Sequence, residues 1–284
     1  MSEHSGRLDH RAELTQVCAM KNKTLAFPLP TETGSFQRRY NRFFADVQLN
    51  GETVVAHVAN TGSMKTCLHV DGGALLSPAA NPERKLRYSL EAIQTPWKTW
   101  IGVNTSWPNQ LVKKVHALGL NPDWSKFPTF KPEHKISKET RLDGLLTSSD
   151  GSQHRFVEVK NVSMAVGDCE RLQGVAQFPD AKTERGRKHL EELMKLVDEG
   201  HEAELIFVVQ RTDCTRFQPA WEIDPDYAET LARAAAHGVK ISVWTVDVSA
   251  EGFDVKVGGA LELDLERPSD LPVAPVKKKT SRKK

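Results

Sequence analysis

The stretch Arg141–Val162 constrains the fold more than any other, because it reads as two apolar-rich strands joined by Asp150-Gly151. Leu142, Leu145 and Leu146 lie in the first strand, and Phe156, Val157, Val159 and Val162 in the second. Asp-Gly supplies the positive φ angles that a two-residue hairpin turn needs. If that turn sets the register, Asp143 falls opposite Glu158, and Arg141 opposite Lys160. Side chains alternate faces along a strand, so Asp143, Glu158 and Lys160 share one face. Directly opposed residues have Cβ atoms roughly 4.5–5.5 Å apart. Two carboxylates that close repel unless positive charge lies between or beside them. A divalent cation satisfies them: Mg²⁺ takes an octahedral shell at about 2.0–2.1 Å from one or two carboxylates, waters and phosphate oxygens. That is the chemistry of a metal-assisted phosphodiester hydrolase. The same residues also fit two cross-strand salt bridges, Asp143–Lys160 and Glu158–Arg141, on a solvated face.

A chain of 284 residues has room for one large or two modest domains. Hydrophobic content of 39% and charged content of 27% are ordinary for a soluble globular protein. A net charge of +2 does not advertise nucleic-acid binding, so any basic surface must come from clustering. Cys18, Cys67, Cys169 and Cys214 are far apart with no C-x-x-C, which excludes a zinc ribbon and argues against a disulfide framework. This pattern fits a reducing cytoplasm. There is neither a membrane-length apolar run nor a signal-peptide pattern.

Residues 1–24 are polar and aperiodic and read as a disordered extension, with Met20 a candidate natural start. From Phe36 to about Val103 the pattern is short strands. Tyr40–Leu49 and Thr53–Val58 flank Asn50-Gly51, and Lys85–Ile93 and Trp97–Val103 follow. They fit a small closed barrel, of which the nucleic-acid-binding OB-fold is one example. Arg38, Arg39 and Arg42, with Arg84, Lys85 and Arg87, offer phosphate contacts, and Tyr40, Phe43 and Tyr88 offer stacking platforms. Barrel core and a solvated edge are the alternative. The Asn60-Thr61-Gly62-Ser63 loop either lines a phosphate pocket or simply turns.

Ser106–Leu118 predicts a helix capped by Ser106, with Pro108 in its first turn and Leu111, Val112, Val115 and Leu118 as its apolar stripe. Pro122, Pro128 and Pro132 make the next segment a loop, and Glu139 is a further candidate acidic ligand or an exposed loop residue. After Val162 a mobile Ser/Gly/Asp stretch leads to a helix over Ala181–Glu199, capped by Asp180. Lys182, Arg185, Lys188 and His189 near its N-terminus suggest a clamp for phosphate or DNA backbone. Glu204–Gln210 is an apolar strand, making a crossover unit from residue 157. Gln210 at its end contacts substrate or caps the strand. A helix over Asp224–Ala236, a strand over Lys240–Val248 and a hairpin over Phe253–Leu265 complete the pattern. Residues 267–284 form a basic tail with Lys277-Lys278-Lys279 and Arg282-Lys283-Lys284, a source of salt-sensitive DNA affinity.

These residues sit in strings that resemble the sugar fermentation stimulation protein (SfsA) family. The strings are R-R-Y-N-R-F-F-A-D-V from Arg38, A-N-T-G-S-M from Ala59 and G-V-N-T-S-W-P-N from Gly102. Further on come R-L-D from Arg141, V-E-V-K-N-V from Val157, F-P-D-A-K-T-E-R-G-R-K-H-L from Phe178 and F-V-V-Q-R from Phe207. The resemblance covers residues 36 to 250 and implies an α/β (α+β overall) chain. A small N-terminal OB-like β-barrel, residues 25–104, is followed by a PD-(D/E)xK nuclease-like mixed sheet flanked by helices, residues 105–266. It implies DNA binding and places Asp143, Glu158 and Lys160 at the nuclease positions. Gly144 departs from the pattern, since relatives usually carry a bulky apolar residue after the Asp.

The expectation is therefore a cytoplasmic DNA-binding protein with a Mg²⁺- or Mn²⁺-dependent phosphodiesterase site. Asp143 and Glu158 hold the metal with a backbone carbonyl near Val159, Lys160 positions water or stabilises charge, and Arg141 joins the DNA contacts. The rival is a non-catalytic DNA-binding regulator of sugar-metabolism genes.

Overall fold

The computed structural model describes residues 24–81, 83–137, 140–269 and 271. Met20, Cys18, Glu139 and the basic tail beyond Leu271 lie outside the described residues, as does nearly all of the polar extension. After β1 (Leu25–Ala26) come β2 (Glu32–Tyr40), β3 (Phe44–Leu49), β4 (Glu52–His57), β5 (Gly73–Pro78), β6 (Tyr88–Gln94) and β7 (Trp100–Gly102). Their spatial order is β4-β3-β2-β5-β6-β7, and a further β4–β6 pairing closes five of them into an OB-like barrel. Asn50 and Gly51 both take positive φ, 51° and 87°, as a tight hairpin turn requires. Phe36, Val47, Leu76, Leu90 and Ile93 fill the barrel.

The rest of the chain runs α1 (Trp107–Ala117), a 3₁₀ turn (Pro122–Trp124), β8 (Thr129–Lys135), β9 (Arg141–Thr147), β10 (His154–Val162), β11 (Ala165–Asp168) and β12 (Gln173–Phe178). It continues through α2 (Glu184–Asp198), β13 (Glu202–Val209), β14 (Cys214–Pro219), α3 (Pro225–Ala236), β15 (Lys240–Val248), β16 (Gly252–Lys256) and β17 (Glu262–Leu263). A seven-stranded mixed sheet has the order β1-β16-β15-β13-β10-β9-β8, with β10, β13 and β15 parallel. Both faces of β13 are buried, which explains its unbroken apolar run. Leu205 and Phe207 pack with Leu190 and Leu193 of α2 and Leu231 of α3. Ile206 and Val208 pack with Trp107, Leu111 and Val115 of α1 on the other face. No described helix is long and apolar enough to cross a membrane.

Several local expectations give way. Tyr40 ends β2 instead of opening β3, because Asn41 and Arg42 reverse the chain with positive φ and no glycine to signal it. Strand β5 is also unheralded. Pro132 lies inside β8, at the sheet edge, where a missing N–H is tolerated. The Ser/Gly/Asp stretch after Val162 forms β11 and β12, half of a second sheet ordered β11-β12-β14-β17. No hairpin spans 253–265: β16 folds back on β15, while β17 pairs with β14. Ser106 makes no side-chain cap, and its hydroxyl instead donates to Asn104 Oδ1 at 2.7 Å. Leu118 is exposed past the end of α1. Helix α2 starts at Glu184, capped by Thr183 Oγ1, which accepts from Gly186 N–H at 3.0 Å.

Candidate metal centre on the β9–β10 hairpin

Residues 147 and 154 through 144 and 157 pair in the register predicted from Asp150-Gly151. The connection is longer than two residues: Ser148 N–H donates to Gln153 O at 3.0 Å, and of the central pair only Gly151 takes positive φ, 74°. Beyond the Gly144–Val157 pair the backbone pairing stops. There the Asp143 carboxylate stands in for a strand acceptor: Oδ2 accepts from Val159 N–H at 2.8 Å, and Oδ1 accepts from Asn109 Nδ2 of α1 at 2.8 Å. Asp143 is thereby tied to both β10 and α1, contacts that strand alternation alone does not show.

Glu158 is 2% exposed. Its Oε1 accepts from Lys160 Nζ at 2.5 Å and from His189 Nδ1 of α2. His189 Nε2 accepts from Arg185 Nε at 3.4 Å, so the proton of a neutral ring sits on Nδ1. Glu158 Oε2 is buried with no hydrogen-bond partner among the described residues. Burial raises the Glu158 pKa, but the Lys160 charge and the His189 hydrogen bond outweigh it and hold the group below its usual range. Asp143 goes the other way: burial first, then the Glu158 charge, push it up to about 6 despite the Val159 N–H. The site thus carries more acid than its own cations neutralise. An orphaned carboxylate oxygen beside a second acid suits a hard divalent cation.

Neither cross-strand salt bridge forms. Lys160 pairs with Glu158 on its own strand, and Arg141 pairs with Glu133 of β8 at 2.9 Å, a contact that occupies a residue expected to meet DNA. Gly144 has a local cause. A Cβ there would lie 2.4 Å from the ring of Phe130 in β8, so a neighbouring aromatic fills the space a bulky residue would take. Asn109 and the role of His189 on Glu158 escaped the sequence reading. Asn109 lies in the quoted W-P-N string, but nothing there shows which acid it faces.

The expected nucleic-acid contacts divide. Arg39 is already spent: Nη2 donates to Asn60 O at 2.7 Å, Nη1 to Gly62 O at 3.0 Å, and Nε to Arg42 O at 2.9 Å. It stitches barrel loops together. Arg38 pairs with Asp46 at 2.7 Å and lies over the Tyr40 ring, while keeping 72% of its side chain exposed. Arg42 is exposed, and Phe43 beside it is 43% exposed, so neither belongs to the barrel core. Lys182, Arg185 and Lys188 are exposed on the α2 side, with Lys182 lying before the helix. The Asn60–Ser63 loop is no phosphate pocket: Ser63 N–H donates to Asp180 Oδ2 at 2.7 Å, and that carboxylate would repel an anion. Asp180 latches the barrel to the segment between β12 and α2 instead of capping α2. Gln210 is fully buried, and its Nε2 donates to Asn161 Oδ1 at 2.6 Å.

Comparison with known proteins agrees with this architecture. The model of the SfsA N-terminal OB domain matches residues 38–103, and that of the sugar fermentation stimulation protein RE domain matches residues 106–252. A sugar fermentation stimulation protein homolog of Bdellovibrio bacteriovorus is 43% identical over 240 residues, covering 81% of this chain and 96% of its own length. A homolog from Alcanivorax borkumensis is 42% identical over 245 residues, covering 85% of this chain and 100% of its own. The structure of Pyrococcus furiosus SfsA in complex with Ca²⁺ superposes with a TM-score of 0.72 at 26% identity, covering 85% of this chain and 98% of that one. The chain belongs to the sugar fermentation stimulation protein family.

Proposed function

We propose that this chain is a DNA-binding protein whose β9–β10 site hydrolyses phosphodiester bonds with Mg²⁺ or Mn²⁺. The observation that carries the reading is the pair of acids: Glu158 Oε2, buried and unpartnered, beside Asp143, whose pKa is pushed up to about 6. The Ca²⁺ in the Pyrococcus furiosus relative supports a divalent ion on this fold. Asp143 and Glu158 would hold it. When bound, such an ion polarises a phosphate oxygen and makes water a stronger nucleophile. Asn109 and the Val159 N–H fix the plane of Asp143, and His189 and Lys160 fix Glu158. The Lys160 ammonium would also stabilise negative charge developing on a phosphate. Arg38 and Arg42 on the barrel, with Lys182, Arg185 and Lys188 beside α2, are the exposed cations suited to a phosphate backbone.

The test is to incubate labelled DNA with the protein and Mg²⁺ or Mn²⁺, and to compare Asp143→Ala and Lys160→Ala. Each substitution should lower cleavage by about 10²-fold or more. Cleavage indifferent to both rejects the assignment. Salt-sensitive DNA retention without cleavage under either metal would leave a binding regulator in its place.

A further inference from the structure

A second constellation lies in the smaller sheet, among residues the phosphodiesterase reading does not use. Cys169, in the turn between β11 and β12, meets Asp213 and Cys214 at the start of β14. All three are buried, and one donor atom of each lies within 4.8 Å of the others. In sequence the two cysteines are too far apart to signal a site, and only the parallel pairing of β12 with β14 joins them.

Gly174, paired with Cys214, keeps the space between the sulfurs open. A Cβ on it would lie 2.6 Å from Cys169 Sγ and 3.2 Å from Cys214 Sγ. The Asp213 carboxylate is held rigidly: Arg211 Nε donates to Oδ1 at 2.6 Å, Arg211 Nη2 to Oδ2 at 2.7 Å, and Trp97 Nε1 to Oδ2 at 2.9 Å. Each carboxylate oxygen has two acceptor positions. Those of Oδ2 are therefore taken, while the second position of Oδ1 receives only a long contact from the Cys214 thiol, 3.7 Å. The Cys169 thiol makes a long 3.7 Å contact to Val166 O and otherwise faces the Cys214 thiol.

We propose that Cys169, Asp213 and Cys214 bind one thiophilic divalent ion of the zinc class. The ion replaces the two thiol protons, which leave to solvent, and takes the free position of Asp213 Oδ1. A water completes four-coordination. Donor atoms around tetrahedral Zn²⁺ stand roughly 3.3–3.8 Å apart, so each pair closes by about 1.5 Å or less. Charge balances as well: two thiolates and Asp213 offset the ion and Arg211. Arg211 and Trp97 act as the outer hydrogen-bond partners that orient a ligating carboxylate. A disulfide between the same sulfurs is the competing outcome.

The experiment uses reduced full-length protein, stripped with a chelator and then titrated with Zn²⁺ or Co²⁺. The expected result is one tightly retained ion per chain, with thiolate-to-cobalt charge-transfer absorption. Cys169→Ser should abolish both signals. Gly174→Ala, which keeps both thiols but fills the gap, should abolish them too, and circular dichroism identifies whether either variant has lost its fold. Asp143→Asn should leave both signals intact, which separates this ion from any at the hairpin. Absence of the charge-transfer band, or retention unchanged in a folded Cys169→Ser or Gly174→Ala variant, overturns the proposal. So does alkylation trapping that finds Cys169 and Cys214 already joined as a disulfide.

Discussion

Two buried glutamates on neighbouring strands of the large sheet have opposite surroundings. Glu204 of β13 is fully buried and every acceptor oxygen is engaged: Oε2 receives Arg155 Nη1 at 3.1 Å and Trp124 Nε1 at 3.0 Å, and Oε1 receives Ser242 Oγ at 2.6 Å. Glu158 of β10 is almost as buried, yet one oxygen is bare and a second carboxylate stands beside it. The same chemical group thus serves as a structural tie on one face of the sheet and keeps an unpaired oxygen on the other, one register step away. A buried charge that is fully paired costs little to keep, whereas one left short retains affinity for a cation.

The contrast predicts a graded set of effects. Glu204→Ala should cost the most, about 3 kcal/mol or more in urea unfolding, because Arg155 loses its buried partner; Glu202 retains part of that charge. Divalent metal should stabilise the wild type by about 2.7 kcal/mol at a hundredfold excess over Kd, read as a rise in Tm. Asp143→Ala should abolish that rise, and Glu204→Ala should not.

Asp143→Asn in metal-free protein should then gain about 1 kcal/mol at neutral pH. The sign follows from the raised pKa. The folded state favours the protonated acid, so ionising it costs stability as pH climbs from about 4 through about 6. The gain of the Asn variant should therefore shrink to nothing below about pH 4, where Asp143 is protonated in both states. Metal affinity should weaken as pH falls through 6, since the proton competes for the same carboxylate. The smallest effect on the fold belongs to the double substitution Lys182→Ala, Lys188→Ala. It should leave stability unchanged and lower the salt dependence of DNA binding by about two phosphate contacts, measured by titration at several ionic strengths.

Much of the hairpin was readable because a two-residue alternation and one Asp-Gly step determine register over many positions. Lys240–Val248 and the Asn50-Gly51 turn were readable for the same local reasons. What was not readable depends on contacts distant in sequence. Asp143 is held by the Val159 N–H and by Asn109 of α1, Arg39 is consumed by carbonyls some twenty residues away, and Asp180 serves the barrel instead of the helix it precedes. Local pattern also misjudged Pro132, whose tolerance comes from its place at the edge of the sheet.

The β9–β10 connection is exposed from Ser149 to Gln153, the kind of segment whose length normally drifts without consequence. Here it acts as a ruler. Adding or removing a single residue there, with the β9 pairing shifted to match, carries every side chain of one arm through the sheet and parts Asp143 from Glu158. Variation in its length is therefore expected to be restricted by parity, although the loop itself touches no part of the chemistry.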